Sequence, residues 1–197
     1  MELVEKNFDL LVTNSSSYNG GTGKACFTFL AKNIIDITKQ INTSTSKEYE
    51  GYTSSTAGGY SNSDMRTWLN STFYNGLDAD FRQVIKPVYK ISDGGHENKT
   101  LVTTTDSCWL ASYNEVGLTD GKYNLSGQGD LYSSTFSSDK ESRKKELSDG
   151  TGTGGWWLRS SYYSNNSSSM FWRATTSGGS YSDIAFNPFY VAFGFCI

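Results

Sequence analysis

The run Gly154-Gly155-Trp156-Trp157-Leu158-Arg159-Ser160 constrains this chain more than any other stretch. Two glycines open room, and two bulky aromatics and an arginine then follow directly, which is the pattern of a buried strand entering a core. After it come Ser161-Tyr162-Tyr163-Ser164-Asn165-Asn166-Ser167-Ser168-Ser169, a strand Met170-Phe171-Trp172-Arg173-Ala174, a glycine turn at Ser177-Gly178-Gly179-Ser180, and the polar and aromatic stretch Tyr181 to Tyr190. The apolar run Val191-Ala192-Phe193-Gly194-Phe195-Cys196-Ile197 is expected to be a strand packed in the core. The chain must therefore fold so that two core strands frame a polar, aromatic insert.

A length of 197 residues fits one domain with an arm and is short for two. The reading is an N-terminal arm or strand over 1–24 and a single domain over 25–197. Hydrophobic residues make up 36%, below the usual ~45–50%, while aromatics are high at 15% and charged residues low at 19%. With 17 Lys and Arg against 20 Asp and Glu, the net charge is -3 and no basic stripe tracks a phosphate backbone, so nucleic acid is not expected as a partner. No run approaches the ~18 apolar residues of a membrane span, so no direct membrane insertion is expected. The start, Met1-Glu2-Leu3-Val4-Glu5-Lys6, lacks the basic-then-apolar order of a signal peptide.

Phe8 to Val12 and Ala25 to Ala31 read as strands around a turn-rich loop, with Asn33-Ile34-Ile35-Asp36-Ile37 following. Thr43 to Gly59 is rich in Ser, Thr and Gly and reads as a surface loop. The clearest helix signal is Ser63 to Asn70: Ser63 caps the first turn, Asp64 complements its positive end, and Met65, Trp68 and Leu69 follow helical spacing. That spacing assigns Met65 and Trp68 to core packing rather than to a cofactor box. A second helix is expected from about Asp78 to Lys86, stopped by Pro87. Val88 to Ile91 and Leu101 to Thr104 read as strands across a turn that holds the one histidine, His96. The sign-balanced run Asp139 to Glu146 reads as a solvated helix face, and no internal repeat is present.

Tyr, Ser, Asn, Gly and Phe dominate the insert, the composition of an antibody-like paratope: tyrosine gives contact area with few rotors to freeze, and Ser and Asn give adaptable hydrogen bonds. Tyr162, Tyr163, Phe186, Phe189 and Tyr190 are more aromatic bulk than a merely soluble loop needs. Trp156-Trp157-Leu158-Arg159-Ser160 followed by the terminal apolar strand resembles the C-terminal half of bacterial and phage domains with a C-type lectin fold. The capped segment Tyr60 to Asn70 resembles the first helix of the same group, so the likeness spans roughly 25–197.

Several members of that group are the variable proteins of diversity-generating retroelements, in which a reverse transcriptase rewrites adenines near the 3′ end of the gene. The resemblance implies an α+β, C-type lectin-like fold, with two helices flanking a twisted antiparallel sheet with long loops. It also implies that residues 161–190 are a diversified ligand surface on a scaffold made by Trp156, Trp157 and the terminal strand. The residues then expected to meet ligand are Tyr162, Tyr163, Asn165, Asn166, Trp172, Tyr181, Asp183, Ile184, Phe186, Asn187, Phe189 and Tyr190. The expected partner is a receptor on a host cell or other surface, protein or glycan, and the expected setting is a phage tail or a bacterial cell surface. A homo-oligomer is left open, since phage fibres are usually trimeric. One departure stands out: many relatives end in a Gly-Val-Arg-Pro-like segment, whereas Val191-Ala192-Phe193-Gly194 has neither the arginine nor the proline.

Other functions fare worse on the residues. The related formylglycine-generating enzymes use a cysteine pair with copper, and Cys26, Cys108 and Cys196 form no CxxC pair, reading instead as small buried residues. One histidine assembles no hydrolytic triad. A calcium lectin needs clustered carboxylates and a Glu-Pro-Asn or Gln-Pro-Asp triplet; the triplet is missing, and Asp78-Ala79-Asp80 and the Asp93/Glu97 turn read as a helix cap and a loop. No catalytic residue, metal or cofactor is expected. A fixed-specificity carbohydrate-binding adhesin remains the alternative, with Tyr162, Tyr163 or Trp172 stacking on a sugar.

Overall fold

The computed structural model describes residues 1–12, 23–44, 47–49, 52–95, 100–119, 126–162 and 169–197. It is a mixed α+β structure made mostly of strands. The chain opens with β1 (Glu2–Lys6), β2 (Phe27–Leu30) and β3 (Ile35–Lys39), then the hairpin β4 (Lys47–Tyr49) and β5 (Tyr52–Ser54). The helices are α1 (Asp64–Trp68), α2 (Tyr74–Gly76) and α3 (Ala79–Val84). There follow β6 (Val88–Asp93), β7 (Leu101–Asp106) and β8 (Trp109–Leu110). The end of the chain supplies β9 (Trp156–Ser161), β10 (Met170–Ala174), β11 (Ser180–Ile184), β12 (Phe189–Val191) and β13 (Phe193–Cys196).

Two larger sheets share the core. One runs β1-β2-β13-β8 and is antiparallel throughout; the other runs β11-β10-β9-β12-β3, with a parallel pair where Tyr190 meets Trp156. A single residue, Ala192, separates β12 from β13, so the chain steps from one sheet to the other across a fully buried alanine. In place of the expected single antiparallel sheet there are two larger sheets and two hairpins, and one of the larger sheets holds a parallel pair. Trp156, Trp157 and Leu158 are all fully buried, as the two indoles demand. No helix among the described residues is long and apolar enough to cross a membrane.

Local sequence explains the helices. Ser63 Oγ accepts the Arg66 amide at 3.1 Å and Asp78 accepts the amides of Asp80 and Phe81, so both expected caps are in place. Beyond Trp68 the helix widens into a π turn (Leu69–Phe73) before α2, and α3 ends at Val84, with Ile85 extended two residues before Pro87. Met65 and Leu69 are buried in the core, with Trp68 packed against it.

Three expectations are corrected. The 43–59 stretch is not only a surface loop, because it holds the β4–β5 hairpin and buries Ser54, Ser55 and Thr56. The first strand lies at Glu2–Lys6, and Leu10 and Leu11 of the expected Phe8–Val12 strand make only isolated bridges to Lys24 and Val88. The charged run Asp139 to Glu146 forms one 3-10 turn (Lys140–Arg143) rather than a solvated helix. Arg143 and Lys145 are buried within it: Arg143 Nε donates to the Gly178 carbonyl at 2.7 Å, and Lys145 Nζ to the Ala31 carbonyl at 2.5 Å. Distant carbonyls claim these cations, and no amphipathic face forms.

Behind the tryptophan strand sits a buried ionic cluster. Arg159 holds Glu115 with two nitrogens at 2.5 and 2.8 Å, and gives further hydrogen bonds to the carbonyls of Ile91, Leu110 and Gln128. Lys90 Nζ reaches Asp9 at 2.5 Å, Glu115 at 3.0 Å and the Tyr132 hydroxyl at 2.5 Å. Two cations and two carboxylates compensate one another, as buried charge requires. Residues from the N-terminal segment, β6, the 115 loop and β9 are thereby tied at one point.

Candidate ligand-binding face

Of the expected ligand residues that the structure describes, Tyr162 follows β9, Trp172 is on β10, Tyr181, Asp183 and Ile184 are on β11, Phe186 and Asn187 are in the turn before β12, and Phe189 and Tyr190 are on β12. The β10–β11 hairpin is closed by residues 175–179, where Gly178 has φ 76°, and a Cβ there would stand 1.8 Å from the Lys140 carbonyl oxygen. Only glycine fits, and Arg143 clamps the turn through the Gly178 carbonyl. In register, Met170 faces Ile184, Phe171 faces Asp183, Trp172 faces Ser182 and Arg173 faces Tyr181. Because side chains alternate along a strand, this register sorts the window onto two sides.

One side gathers Tyr181, Asp183, Asn187 and Phe189 around Arg173. The Arg173 guanidinium carbon lies 4.2 Å from the Phe189 ring centroid and 5.2 Å from that of Tyr181. Arg173 Nε donates to Asp183 Oδ2 at 3.1 Å; the Asp183 carboxylate also accepts the Ile184 amide at 2.9 Å and the Asn187 side-chain amide at 2.7 Å. Phe189 stands edge-on to Trp157, with centroids 5.0 Å apart, so the patch rests on the buried tryptophan strand. Trp157 in turn donates from Nε1 to the Lys39 carbonyl at 2.8 Å. Tyr181 is the most open of these residues, 58% exposed.

The other side holds Trp172, Tyr162 and Ile184. Trp172 was expected to meet ligand, but its ring is only 9% exposed, packed between Tyr113 at 4.7 Å and Tyr162 at 5.1 Å. It packs under Tyr162 and offers little surface of its own. Ile184 is half-buried beside Met170. Phe186, also half-buried, is held at its carbonyl by Gln40 Nε2, and the Tyr190 amide donates to the Gly155 carbonyl at 3.2 Å. Tyr163, Asn165 and Asn166 lie outside the described residues.

A cleft of about 400 Å³ adjoins this face, lined by Thr38, Lys39, Gln40, Thr43, Asp64, Met65, Trp68 and Pro188. Lys39 Nζ sits 4.5 Å over the Trp68 ring. Burial pushes the Asp64 carboxyl up, but hydrogen bonds from Lys47 and Thr43 outweigh it and hold it below its ordinary value. Sequence reasoning passed over Arg173 and this cleft. The only signal for Arg173 was its place one residue from Trp172 on a strand, which puts it on the opposite face. The cleft draws on residues too far apart in sequence to be grouped.

Burial raises the Cys108 thiol to about 12, with Asp106 adding to the effect, and burial with Asp9 also raises Cys196. Near neutral pH both thiols stay protonated, which disfavours a thiolate nucleophile at either. Asp78, read as a cap, is one. Asp93 accepts the Ser161 and Gly95 amides from a buried position.

These observations define an α+β domain with two larger sheets and an aromatic, hydrogen-bonding face. The chain belongs to the family described as Domain of unknown function (DUF6273), whose match covers residues 27–192. Neither the curated proteins nor the solved structures hold a match to it.

Proposed function

We propose that this chain is a ligand-binding protein that displays a diversified surface on a C-type lectin-like scaffold, in the setting of a phage tail or a bacterial cell surface. The observation that carries the reading is the division of labour in the last forty or so residues. Trp156, Trp157, Leu158 and Phe195 are in the core, while Tyr181, Asp183, Asn187 and Phe189 lie between the core strands and reach the surface. Of these, Tyr181 is the most exposed and can change with the least effect on the packing beneath, whereas Phe189 stands on Trp157. Supporting the lectin-like scaffold, β2 and β13 lie side by side, Phe29 against Phe195, so segments distant in sequence close the domain together. Affinity in such a site comes from a few aromatic and arginine anchors, with small polar residues at the rim.

Sequencing the 3′ end of this gene and the DNA downstream in many sibling isolates tests the reading. Substitutions confined to codons 161–190, at adenines of a nearby template repeat beside a reverse transcriptase gene, are expected. An invariant window without a repeat sinks it. A fixed-specificity carbohydrate-binding adhesin is the second reading, favoured by the cleft in which Trp68 stands beside Lys39, Gln40 and Asp64, all outside the window.

A further inference from the structure

We propose that Arg173 is the anchor of the ligand face and that it takes a carboxylate borne on a sugar ring, an acidic saccharide. The inference rests on reading this face as the ligand-binding surface, and goes on to name what the face recognises. A guanidinium has five N–H donors in a planar fork that matches a carboxylate with two parallel hydrogen bonds. In Arg173 only Nε is engaged, by Asp183; Nη1 and Nη2 have no hydrogen-bond partner among the described residues. The side chain is 17% exposed, so its two free nitrogens work from a partly dry position, where a charge pair is stronger than between two freely solvated groups.

The fork is also held ready. Phe189 and Tyr181 flank the guanidinium, and the carboxylate that grips Nε is itself fixed by the Ile184 amide and Asn187. Little side-chain freedom is left to lose on binding. Room for this arrangement comes from Gly155, over which the arginine lies: a Cβ there would come within 2.9 Å of Nη1. Gly155 is not in the left-handed region, so its lack of a side chain serves the close approach and not the backbone.

One feature favours an acidic sugar over an acidic peptide, and a second disfavours a polyphosphate. Next to the fork lies the 58%-exposed Tyr181 ring, a flat apolar surface suited to the C–H face of a pyranose. A carboxylate on an extended side chain would use the fork and leave that ring uncovered. Asp183 also brings one negative charge beside the arginine, which suits a ligand with a single carboxylate at this point and disfavours a polyphosphate.

Binding of trigalacturonic acid and of its methyl ester to the full chain tests the proposal, read by calorimetry and by the Arg173 side-chain Nε–H resonance. The acid is expected to bind and shift that resonance, with the ester weaker by about tenfold or more. Arg173→Gln should lose about tenfold or more for the acid, and Arg173→Lys should fall between, keeping the charge without the fork. Gly155→Ala should weaken the acid too, because it moves the guanidinium without changing any charge, and it decides the matter if Arg173→Gln fails to fold. Equal affinity for acid and ester, or binding indifferent to both Arg173→Gln and Gly155→Ala, overturns the inference. So does a hexaglutamate peptide that binds through Arg173 where the sugar does not, and so does failure of the acid to bind at all. Each of these leaves the ligand-face reading standing if sibling genes vary in the window, whereas an invariant window defeats that reading first.

Discussion

Arg159 shows how one residue can join distant parts of a chain. Its guanidinium meets Glu115, and Glu115 meets Lys90, which meets Asp9, so four charges that would be prohibitive alone are tolerable together. Burial pushes the Glu115 carboxyl up, but the attraction of Arg159 first, and then of Lys90, outweighs it and holds the group at about 2 against an ordinary 4.5. A carboxyl whose folded value is depressed stabilises the fold at any pH above its unfolded value, and that stabilisation fades as pH falls. The contribution of Glu115 to unfolding free energy, read by urea titration as the difference from Glu115→Gln, is therefore expected to be steady from pH 7 to about 4.5 and to drop between about 4.5 and 2. Glu115→Gln should lower stability at pH 7 and flatten the drop; an unchanged slope in that variant would show that other groups govern acid unfolding.

At the scale of elements, the β10–β11 hairpin supports the proposed ligand face, and its turn depends on Gly178. A side chain there would have to share space with the Lys140 carbonyl at a φ that L residues avoid. Gly178→Ala is expected to cost about 1–3 kcal/mol in thermal or urea unfolding and to move the Arg173 and Tyr181 resonances; a silent substitution would mean that the turn is not what orders the face. How far such elements can be read from sequence depends on how local their causes are. Ser63 and Asp78 were legible as caps because a cap acts within three residues. Trp156 and Trp157 were legible as core because two adjacent indoles have nowhere else to go. The 139–146 run was not, since Arg143 and Lys145 find carbonyls of residues 178 and 31 that only the fold brings near. Arg173 was missed for the same reason: Phe189, which stacks on it, belongs to another strand. Composition pointed to the window but could not show which of its residues the fold buries, as it does Trp172.

At the scale of the molecule, the proposed division into scaffold and face predicts that their energetics are separable. Tyr181→Ala is expected to change unfolding free energy by no more than about 0.5 kcal/mol, as for an exposed residue. Phe195→Ala, beneath Phe81 and against Phe29, should cost about 3–5 kcal/mol in the same urea titration. Comparable costs at both sites would mean that the face is part of the fold's stability and is not free to change. The order of strands adds a consequence for synthesis. β13 is translated after the 161–190 window, yet it lies between β2 and β8 in the interior of its sheet. A frameshift or stop codon inside the window therefore gives a product that lacks a central strand and leaves β2 and β8 without their shared partner. A chain shortened in this way is expected to lose its cooperative urea transition, because an interior strand of the sheet is missing.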